Sequence, residues 1–405
     1  IRQAIEDRLA SQENFMPLGA TRLVAGAVTP PDLRITMKQA LIIGSTGCIG
    51  NNVTRACLAA GWSVRAFRRS SSQTWMLDGL DVEHVIGDLA DPASLADAMR
   101  GCHAVFHAAA YYPRHSLGMN RSLRDAVLGM RNVLDAAAQA KVGRLVFTST
   151  LTTLGPPSGP GRLTDERDFY LPGSTDSAYF ESKWAMEAEA WRAIATGLPL
   201  VIVNPTAVFG PWDVVPTTGE ILVNLAKGRF PVWIDLEANV VDARDVGMGH
   251  VLAAERGRIG QRYILGGENL SVRQALTTAA REAGASPPKW RASLGAISAL
   301  VKVGETLGRL PLIKPLPLEH FKTLREWRAL DCTKARQELG FAPRHSAADA
   351  LREFAEYQHT SPLQAGPLKL ARDEERLRDQ IEQRRRARTP ETAPGTGGRE
   401  GGQDG

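Results

Sequence analysis

The sequence predicts an α/β fold in which helices cover both faces of a doubly wound parallel sheet. From residue 40 onward, short apolar runs of strand length alternate with longer segments of helical character. Buried parallel strands are continuous apolar runs, and repeated strand–helix–strand units generate parallel sheets. A glycine-rich turn directly after the first run, Gly44 to Gly50, is typical of the first strand–helix connection in such a sheet.

The predicted elements follow one another in regular order. The strands are predicted at 40–43, 63–67, 82–86, 104–107, 145–149 and 200–203. The helices are predicted at 51–60, 92–99, 127–140 and 178–195. Gly61 ends the first helix because glycine readily adopts the left-handed conformation found after helices, and Asp91 caps the second helix.

Composition narrows the class of protein. The 405 residues are 43% hydrophobic and 23% charged, which supports a sizeable core and excludes a wholly disordered chain. The most apolar stretch, 294–310, is interrupted by glycines and carries Lys302 and Glu305, so we interpret it as a buried or groove-lining helix and predict no membrane span. Four cysteines without CxxC spacing predict no disulfide scaffold and no metal site, and they favour a cytoplasmic location.

Both ends of the chain differ from its alternating middle. Residues 1–36 lack the pattern of a signal peptide, and we interpret them as a loosely ordered extension or an upstream read-through. Residues 361–405 are a charged, Gly-rich tail. The basic run from Arg384 to Arg388 contributes to the net charge of +5 but has no interleaved aromatic residues. This run is therefore interpreted as solvated, and no nucleic-acid partner is predicted.

The glycine-rich turn is predicted to bind the pyrophosphate of a dinucleotide. The residues assigned to it are Gly44, Thr46, Gly47, Cys48, Ile49 and Gly50. Glycines let the backbone approach the phosphates, and the N–H groups and dipole at the start of the next helix attract their charge. An ordinary tight turn is the alternative, but the position between a strand and a helix favours nucleotide binding.

Residues near the ends of the next strands predict which dinucleotide binds. Arg68-Arg69 stands about 20 residues after the turn, where an acidic residue would bind the ribose 2′-hydroxyl of NAD. A guanidinium suits the 2′-phosphate of NADP, so NADP(H) is favoured over NAD(H). Asp88-Leu89 would lie near the adenine, and Ala108-Ala109 would leave room at the sheet edge. The alternatives are solvated arginines and an ordinary Asp turn.

A Tyr-x-x-x-Lys pair, Tyr179 and Lys183, begins the fourth predicted helix. A spacing of four places both side chains on one helical face. The ammonium is expected to lower the pKa of the phenol from its usual value of about 10, so that Tyr179 can donate and accept a proton near neutral pH. The fifth predicted strand ends in hydroxyl side chains at 148–150, one of which could bind a substrate oxygen.

From about Met37 to Tyr357 the chain resembles the extended short-chain dehydrogenase/reductases, the NAD(P)-dependent epimerase/dehydratase group. Besides the motifs above, the resemblance is carried by residues 87–89, 107–109, 129–134, 204–211, 239–246, 262–268 and 331–343. The chain is most similar to the dihydroflavonol-reductase-like branch, which also holds 3β-hydroxysteroid-dehydrogenase-like reductases and hopanoid-associated sugar epimerase-like proteins.

The resemblance implies a Rossmann domain at 37–210, to which 238–266 returns. A smaller α+β substrate domain is implied over the rest of 211–360. Asn204 and Pro205 are implied cofactor contacts. A homodimer formed through the helices near Val127 and Ala178 is implied in the same way.

The resemblance also assigns the catalytic roles. Tyr179 is implied as the acid–base residue, with Lys183 as its partner and as a contact to the nicotinamide ribose. The Ser-Ser pair usual in the family reads Ser149-Thr150 here, so the catalytic hydroxyl would be Thr150 with Ser149 beside it. A dehydratase would usually carry an acidic pair next, where this chain has Leu151 and a threonine.

Three hypotheses for the function follow. The first is reversible hydride transfer between NADP(H) and a carbonyl or secondary alcohol of a mainly apolar small molecule. The apolar pocket is expected from the loop 111–115 and from Trp212, Trp233, Leu294, Ile297, Leu300 and Val301. The second hypothesis is a sugar (nucleotide) epimerase with recycled cofactor. The third is a non-catalytic NADP-sensing protein, against which the retained Tyr-x-x-x-Lys pair argues.

Overall fold

The computed structural model describes residues 38–109, 119–213, 219–226, 231–308 and 327–360. The predicted extension at 1–36, the predicted pocket loop at 111–115 and the tail at 361–405 lie outside these residues.

The strands of the described residues are, in chain order, β1 (Gln39–Ile43), β2 (Ser63–Arg68), β3 (Glu83–Ile86), β4 (Ala104–His107), β5 (Leu145–Thr148), β6 (Leu200–Pro205), β7 (Ala207–Phe209), β8 (Val232–Ile234), β9 (Glu237–Asp242), β10 (Arg262–Leu265), β11 (Glu268–Ser271) and β12 (Trp290–Ala292). The α-helices are α1 (Cys48–Ala59), α2 (Pro92–Met99), α3 (Met119–Gln139), α4 (Ala178–Ala195), α5 (Glu220–Ala226), α6 (Ala243–Arg256), α7 (Val272–Glu282), α8 (Leu294–Gly308) and α9 (Ala347–Thr360).

Seven parallel strands form the central sheet, in the order β10-β6-β5-β4-β1-β2-β3. Ile43, the last residue of β1, pairs with Phe67 of β2 and with His107 of β4. The carboxyl ends of these strands therefore lie at one edge of the sheet. The chain reverses its strand order between β1 and β4, which is the place where open parallel sheets bind ligands.

Alternating side chains of the central strands supply two hydrophobic layers. On β1, Ile42 packs into the layer that contains α1 and α6, whereas Leu41 and Ile43 pack into the layer of α2, α3 and α4. All three side chains are at most 1% exposed. Helices thus cover both faces of the sheet, and the predicted doubly wound α/β fold is confirmed.

A third hydrophobic cluster lies around two small sheets. Strands β11, β9 and β7 form one of them, and β12 pairs with β8 in the other. Phe209 of β7 and Val240 of β9 pack there against Leu276 of α7 and Phe354 of α9. The return of the chain to the central sheet is made by α6 and β10, whereas β9 joins the small sheet.

Several predicted bounds differ from the structure. Helix α1 begins at Cys48, inside the glycine-rich turn, and α3 begins at Met119, eight residues before the predicted start at 127. Strand β10 is the seventh strand of the central sheet and lies within 238–266, the segment that the resemblance implies to return to this domain. The stretch 294–310 was interpreted as a buried or groove-lining helix, and the first alternative fails for one face of α8, because Leu300 is 72% exposed. Within the described residues, none of the helices combines the length and apolar character that a membrane crossing requires.

Candidate active site

A cavity of about 420 Å³ opens at the carboxyl ends of β1 to β4. Its size falls in the range of small-molecule sites, roughly 300–1,000 Å³. The cavity therefore lies at the change in strand order, as the sequence predicted for the cofactor. Seven of the residues predicted to bind the cofactor line it, namely Gly44, Thr46, Arg68, Arg69, Asp88, Leu89 and Ala109.

The turn after β1 brings backbone to the cavity wall. Gly44 has a φ of 92°, and a Cβ at this position would lie 2.7 Å from the backbone nitrogen of Ala109. The Gly47 N–H donates to the Gly44 carbonyl at 3.0 Å and closes the turn. Helix α1 then begins without an acidic residue in its first turn and without a side-chain cap. These features fit a pyrophosphate, which would accept hydrogen bonds from the first N–H groups of the helix.

Gly50 is the glycine whose replacement should damage the turn most. A Cβ on Gly50 would lie 2.0 Å from the Gly44 carbonyl oxygen, whereas a Cβ on Gly47 would lie 3.5 Å from that oxygen, an ordinary contact. We expect Gly50→Ala to lower the free energy of unfolding by about 1–3 kcal/mol. Gly47→Ala is the matched control and should change it little. Urea unfolding of both variants measures the difference, and equal losses would contradict the packing described.

The other cofactor residues predicted in the turn and at Ala108 do not line the cavity. They are Gly47, Cys48, Ile49, Gly50 and Ala108. The Cys48 thiol donates to the Pro211 carbonyl at 4.0 Å. Burial, together with the carboxylates of Asp213 and Asp242, raises the pKa of this thiol well above its ordinary value. Cys48 is therefore a packing residue of the turn in its neutral form.

Two arginines stand at the end of the cavity formed by β2 and β3. Arg68 donates from Nε to Nδ1 of His84 at 3.2 Å and from Nη1 to the Arg69 carbonyl at 3.3 Å. On the next strand connection, Asp88 accepts the Ala90 N–H at 3.0 Å while also lining the cavity. The two positively charged arginines and the Asp88 carboxylate thus lie where the adenosine half of a dinucleotide is expected. Asp88 also stabilises its own turn, which was the alternative interpretation of this residue.

The Tyr-x-x-x-Lys pair lies on α4 as predicted. Ser177 caps this helix by accepting the Phe180 N–H, which places Tyr179 in the first turn. The half-buried Tyr179 hydrogen-bonds the hydroxyl of Thr150, which follows the end of β5. The phenol and the hydroxyl predicted to bind the same substrate oxygen are therefore adjacent.

Lys183 lies one turn further along α4 and is only 3% exposed. Its Nζ donates to the Thr148 carbonyl at 3.4 Å. Burial lowers the pKa of Lys183 to about 8, and the carboxylate of Glu187 opposes this change. The amine is therefore still mostly protonated at neutral pH and titrates just above it.

The expectation that the Lys183 ammonium lowers the pKa of Tyr179 is wrong for this structure. Burial raises the pKa of Tyr179 above 10, and the hydrogen bond from Thr150 offsets only part of that increase. The Lys183 ammonium is directed to the backbone of Thr148. Thr150, which was predicted to contact the substrate oxygen, is thus also the group that favours the phenolate.

Ser149 and Asn204 lie in a buried polar network next to this cluster. Ser149 donates to the carboxylate of Glu187. Asn204 donates from Nδ2 to the Thr150 carbonyl at 3.0 Å, and Pro205 continues the same strand. Neither residue of this strand lines the cavity. The structure therefore brings Thr150, Tyr179 and Lys183 together, and Ser149 and Asn204 adjoin them through Thr150. Like Pro205, none of these residues lines the cavity.

His107 is a cavity residue that was not predicted as part of the site. Its ring is fully buried and stacks on Phe147, with centroids 5.7 Å apart. Among the residues that the structure describes, neither ring nitrogen finds a hydrogen-bond partner. Burial and the nearby Lys183 lower the pKa of His107 to about 3, so the ring is neutral near pH 7. Its position at the end of β4, directly before Ala108, was the available signal.

Together, the parallel sheet, the cavity at its change of strand order and the Tyr179–Thr150–Lys183 cluster define the chain as an NAD(P)-dependent oxidoreductase. A sequence profile described as the NAD dependent epimerase/dehydratase family matches residues 40–266. The chain belongs to this family.

The chain is similar to named relatives over most of their length. A candidate dihydroflavonol 4-reductase of Synechocystis is 36% identical, over 77% of this chain and 92% of the relative. The sterol demethylase protein B of Methylococcus capsulatus is 32% identical, over 78% and 98%. The crystal structure of a nucleoside-diphosphate-sugar epimerase from Pseudomonas aeruginosa superposes with a TM-score of 0.68 at 30% identity, covering 80% of this chain and 98% of that one.

Proposed function

We propose that the protein is an NADP(H)-dependent reductase or dehydrogenase that interconverts a carbonyl and a secondary alcohol on a mainly apolar small molecule. The single observation that carries this proposal is the placement of Tyr179 and Lys183 on one face of α4, beside Thr150 at the end of β5. A bound nicotinamide supplies or accepts the hydride. Thr150 would hold the substrate oxygen, and Tyr179 would donate or remove its proton.

The preference for NADP(H) rests on the charge at the adenosine end of the cavity. Both Arg68 and Arg69 line it, and a guanidinium can contact a 2′-phosphate through two hydrogen bonds. Gly44, Thr46 and Ala109 would lie along the pyrophosphate. The neutral ring of His107 would lie toward the nicotinamide ribose.

The apolar substrate class is supported by two kinds of observation. Relatives that match over nearly their full length are named for a dihydroflavonol and for a sterol, both of which have mainly apolar ring systems. Of the predicted pocket residues, Trp233 and Ile297 pack on the third hydrophobic cluster and Val301 is buried. Trp212 packs beside Met76 in another cluster and does not support the pocket. Leu294 and Leu300 are exposed and carry no support for the pocket.

A screen of ketones and secondary alcohols tests this proposal. Each compound is mixed with enzyme and NADPH or NADP⁺, and the absorbance of the reduced nicotinamide is followed. We expect turnover with cyclic, apolar compounds and a lower KM for NADPH than for NADH. Turnover only with small polar sugars, or a lower KM for NADH, would contradict it.

The sugar epimerase remains a second candidate because of the similarity to the Pseudomonas aeruginosa structure. An epimerase would release its substrate inverted at one carbon without net change in the cofactor. Incubation with nucleotide sugars, followed by chromatography of the products, distinguishes it from a reductase.

The rate of carbonyl reduction should depend on pH and should decrease as the pH rises through about 8. The pKa of Lys183 is about 8, so its ammonium loses a proton as the pH rises through this value. A neutral amine is a weaker hydrogen-bond donor to the nicotinamide ribose, the contact proposed for Lys183, and we expect kcat for carbonyl reduction to fall above pH 8. Initial rates at saturating NADPH measure the profile. A rate that stayed constant well above this pH would show that the charge of Lys183 does not matter.

A further inference from the structure

We propose that Glu187 is a positioning residue of the active site, which fixes the strand end that carries Thr150 and helps to keep a proton on Lys183. The inference rests on the proposed function and adds to it a role for the buried ion pair that Glu187 forms with Arg262. Glu187 is 3% exposed and Arg262 2% exposed, and Nη1 of the arginine lies 3.0 Å from Oε1 of the glutamate.

Glu187 lies on α4, one turn after Lys183. Residues four apart share one helical face, so Tyr179, Lys183 and Glu187 form one row over two turns. The carboxylate acts on the charge of Lys183 in the direction that favours the ammonium. Burial acts on Lys183 in the opposite direction, since a charged amine is less stable away from water. The carboxylate therefore offsets part of the cost of burying the ammonium.

Hydrogen bonds connect Glu187 to the backbone of Thr150. Glu187 accepts hydrogen bonds from Ser149 and, at 3.4 Å, from Nδ2 of Asn204. The same amide group of Asn204 donates to the Thr150 carbonyl at 3.0 Å. Thr153 also donates to that carbonyl, at 2.9 Å. The backbone of Thr150 is thus held from inside the protein by groups that gather around one carboxylate.

Arg262 has hydrogen-bond acceptors other than Glu187. Its Nε and Nη2 donate to the carbonyls of Glu166 and Asp168, each at 2.8 Å, and its guanidinium lies 3.8 Å from the centroid of the Phe169 ring. The arginine is therefore held by backbone even apart from Glu187. A buried ion pair is often no more stable than packed apolar residues, so stability alone is a weak reason for the pair.

The groups that face Lys183 define what can change its titration. Tyr179 and Glu187 face it from its own helix, and His107 faces it from β4. His250 of α6 hydrogen-bonds the hydroxyl of Thr148, and the carbonyl of Thr148 accepts the hydrogen bond from Lys183. Both histidines are neutral near pH 7, because burial lowers the pKa of His107 to about 3 and that of His250 to about 4. Glu187 is accordingly the carboxylate through which the charge of Lys183 can be adjusted.

The test measures the titration of Lys183 directly in the full chain without cofactor. Protein is labelled with ¹³C at lysine Cε, the Lys183 signal is assigned by its loss in Lys183→Arg, and its shift is followed against pH. We expect a midpoint near pH 8 in the wild type. Glu187→Gln should move it lower, since the carboxylate acts in the direction that favours the ammonium. Arg262→Gln should move it higher, because the charge of Glu187 is then no longer balanced.

Glu189→Gln is the matched control. It removes a carboxylate from the same helix, but Glu189 pairs with Arg131 and Arg192 at the surface. Its Lys183 midpoint should equal that of the wild type. Opposite shifts in the two test variants cannot arise from loosened structure alone, and the midpoint of either variant that remains folded is enough to support or refute the role of Glu187. Unchanged midpoints would overturn the proposal.

Measurements of kcat against pH separate the role of Glu187 from the proposed function. If the wild type reduces a ketone, Glu187→Gln should lower kcat more in mildly alkaline than in mildly acidic buffer, and Glu187→Asp, which keeps the charge, should restore the alkaline part of the profile. If the wild type binds NADPH but turns over no carbonyl or alcohol, the proposed function fails, and the titration of Lys183 still decides whether Glu187 controls its charge.

Discussion

Replacing Tyr179 by Phe should lower kcat for carbonyl reduction by about 10²- to 10⁴-fold, the usual contribution of a positioned proton donor. The variant loses one hydroxyl, and with it the hydrogen bond to Thr150. Binding of NADPH should stay within a few-fold of the wild type, because the cavity is lined by other residues. Stopped-flow rates at saturating cofactor measure the first quantity, and the quenching of protein fluorescence by NADPH measures the second.

Tyr170→Phe is the matched control for this result. Tyr170 is a buried tyrosine near the same helix, and its hydroxyl donates to Glu181 at 2.6 Å, outside the proposed catalytic cluster. Its loss should leave kcat near the wild-type value. If Tyr179→Phe retained full turnover, or if both variants lost turnover equally, the assigned role of the Tyr179 phenol would be wrong.

Replacing Arg68 by Ala should weaken NADPH binding by about 10- to 100-fold. This range corresponds to the roughly 1.5–3 kcal/mol that a hydrogen bond to a charged group contributes. Binding of NADH should change little, because NADH has no 2′-phosphate for the guanidinium to contact. Isothermal titration of both cofactors against the variant measures the change in preference.

Arg65→Ala is the control for charge on the same strand. Arg65 pairs with Glu83 at 2.8 Å and donates to the Arg100 carbonyl, and it does not line the cavity. Its loss should leave the ratio of the two affinities unchanged. An equal loss of NADPH and NADH affinity in Arg68→Ala would show that the arginine supports the strand end and does not read the 2′-phosphate.

Much of the fold could be predicted because its signals are local. The apolar runs of β1, β4 and β5 are short, continuous and separated by helices, as buried parallel strands require. The glycine-rich turn and the Tyr-x-x-x-Lys pair are likewise contained within a few residues. The turn lies at the cavity, and Tyr179 and Lys183 lie in one row on α4, the elements on which they were predicted.

The parts that could not be predicted depend on contacts distant in sequence. Glu187 and Arg262 are 75 residues apart, and no local pattern indicates that they pair. The small sheet joins β7, β9 and β11, whose pairing is set by packing against α7 and α9. The raised pKa of Tyr179 also escaped prediction, because burial outweighs the effect expected from a helical neighbour. The sequence spacing of two residues shows whether their side chains share one face of a helix. How deeply those side chains are buried depends on the complete fold.

The division into a Rossmann domain and a substrate domain, the homodimer and the cytoplasmic location stay predictions. Each rests on the resemblance or on composition. Size-exclusion chromatography with light scattering would test the homodimer. The variant Leu128→Arg is a useful probe there, because Leu128 is 57% exposed on α3, one of the two helices implied in the interface.

A crystal structure of the protein with NADP⁺ and a substrate analogue would show directly whether the nicotinamide meets the Tyr179 hydroxyl. We expect the 2′-phosphate on Arg68, the pyrophosphate on the turn from Gly44 to Gly50, and the nicotinamide ring beside the Tyr179 hydroxyl, with reacting atoms roughly 3–3.5 Å apart. A complex in which the ring lies away from Tyr179 and Thr150, or a protein that takes up neither dinucleotide at millimolar concentration, would contradict this expectation.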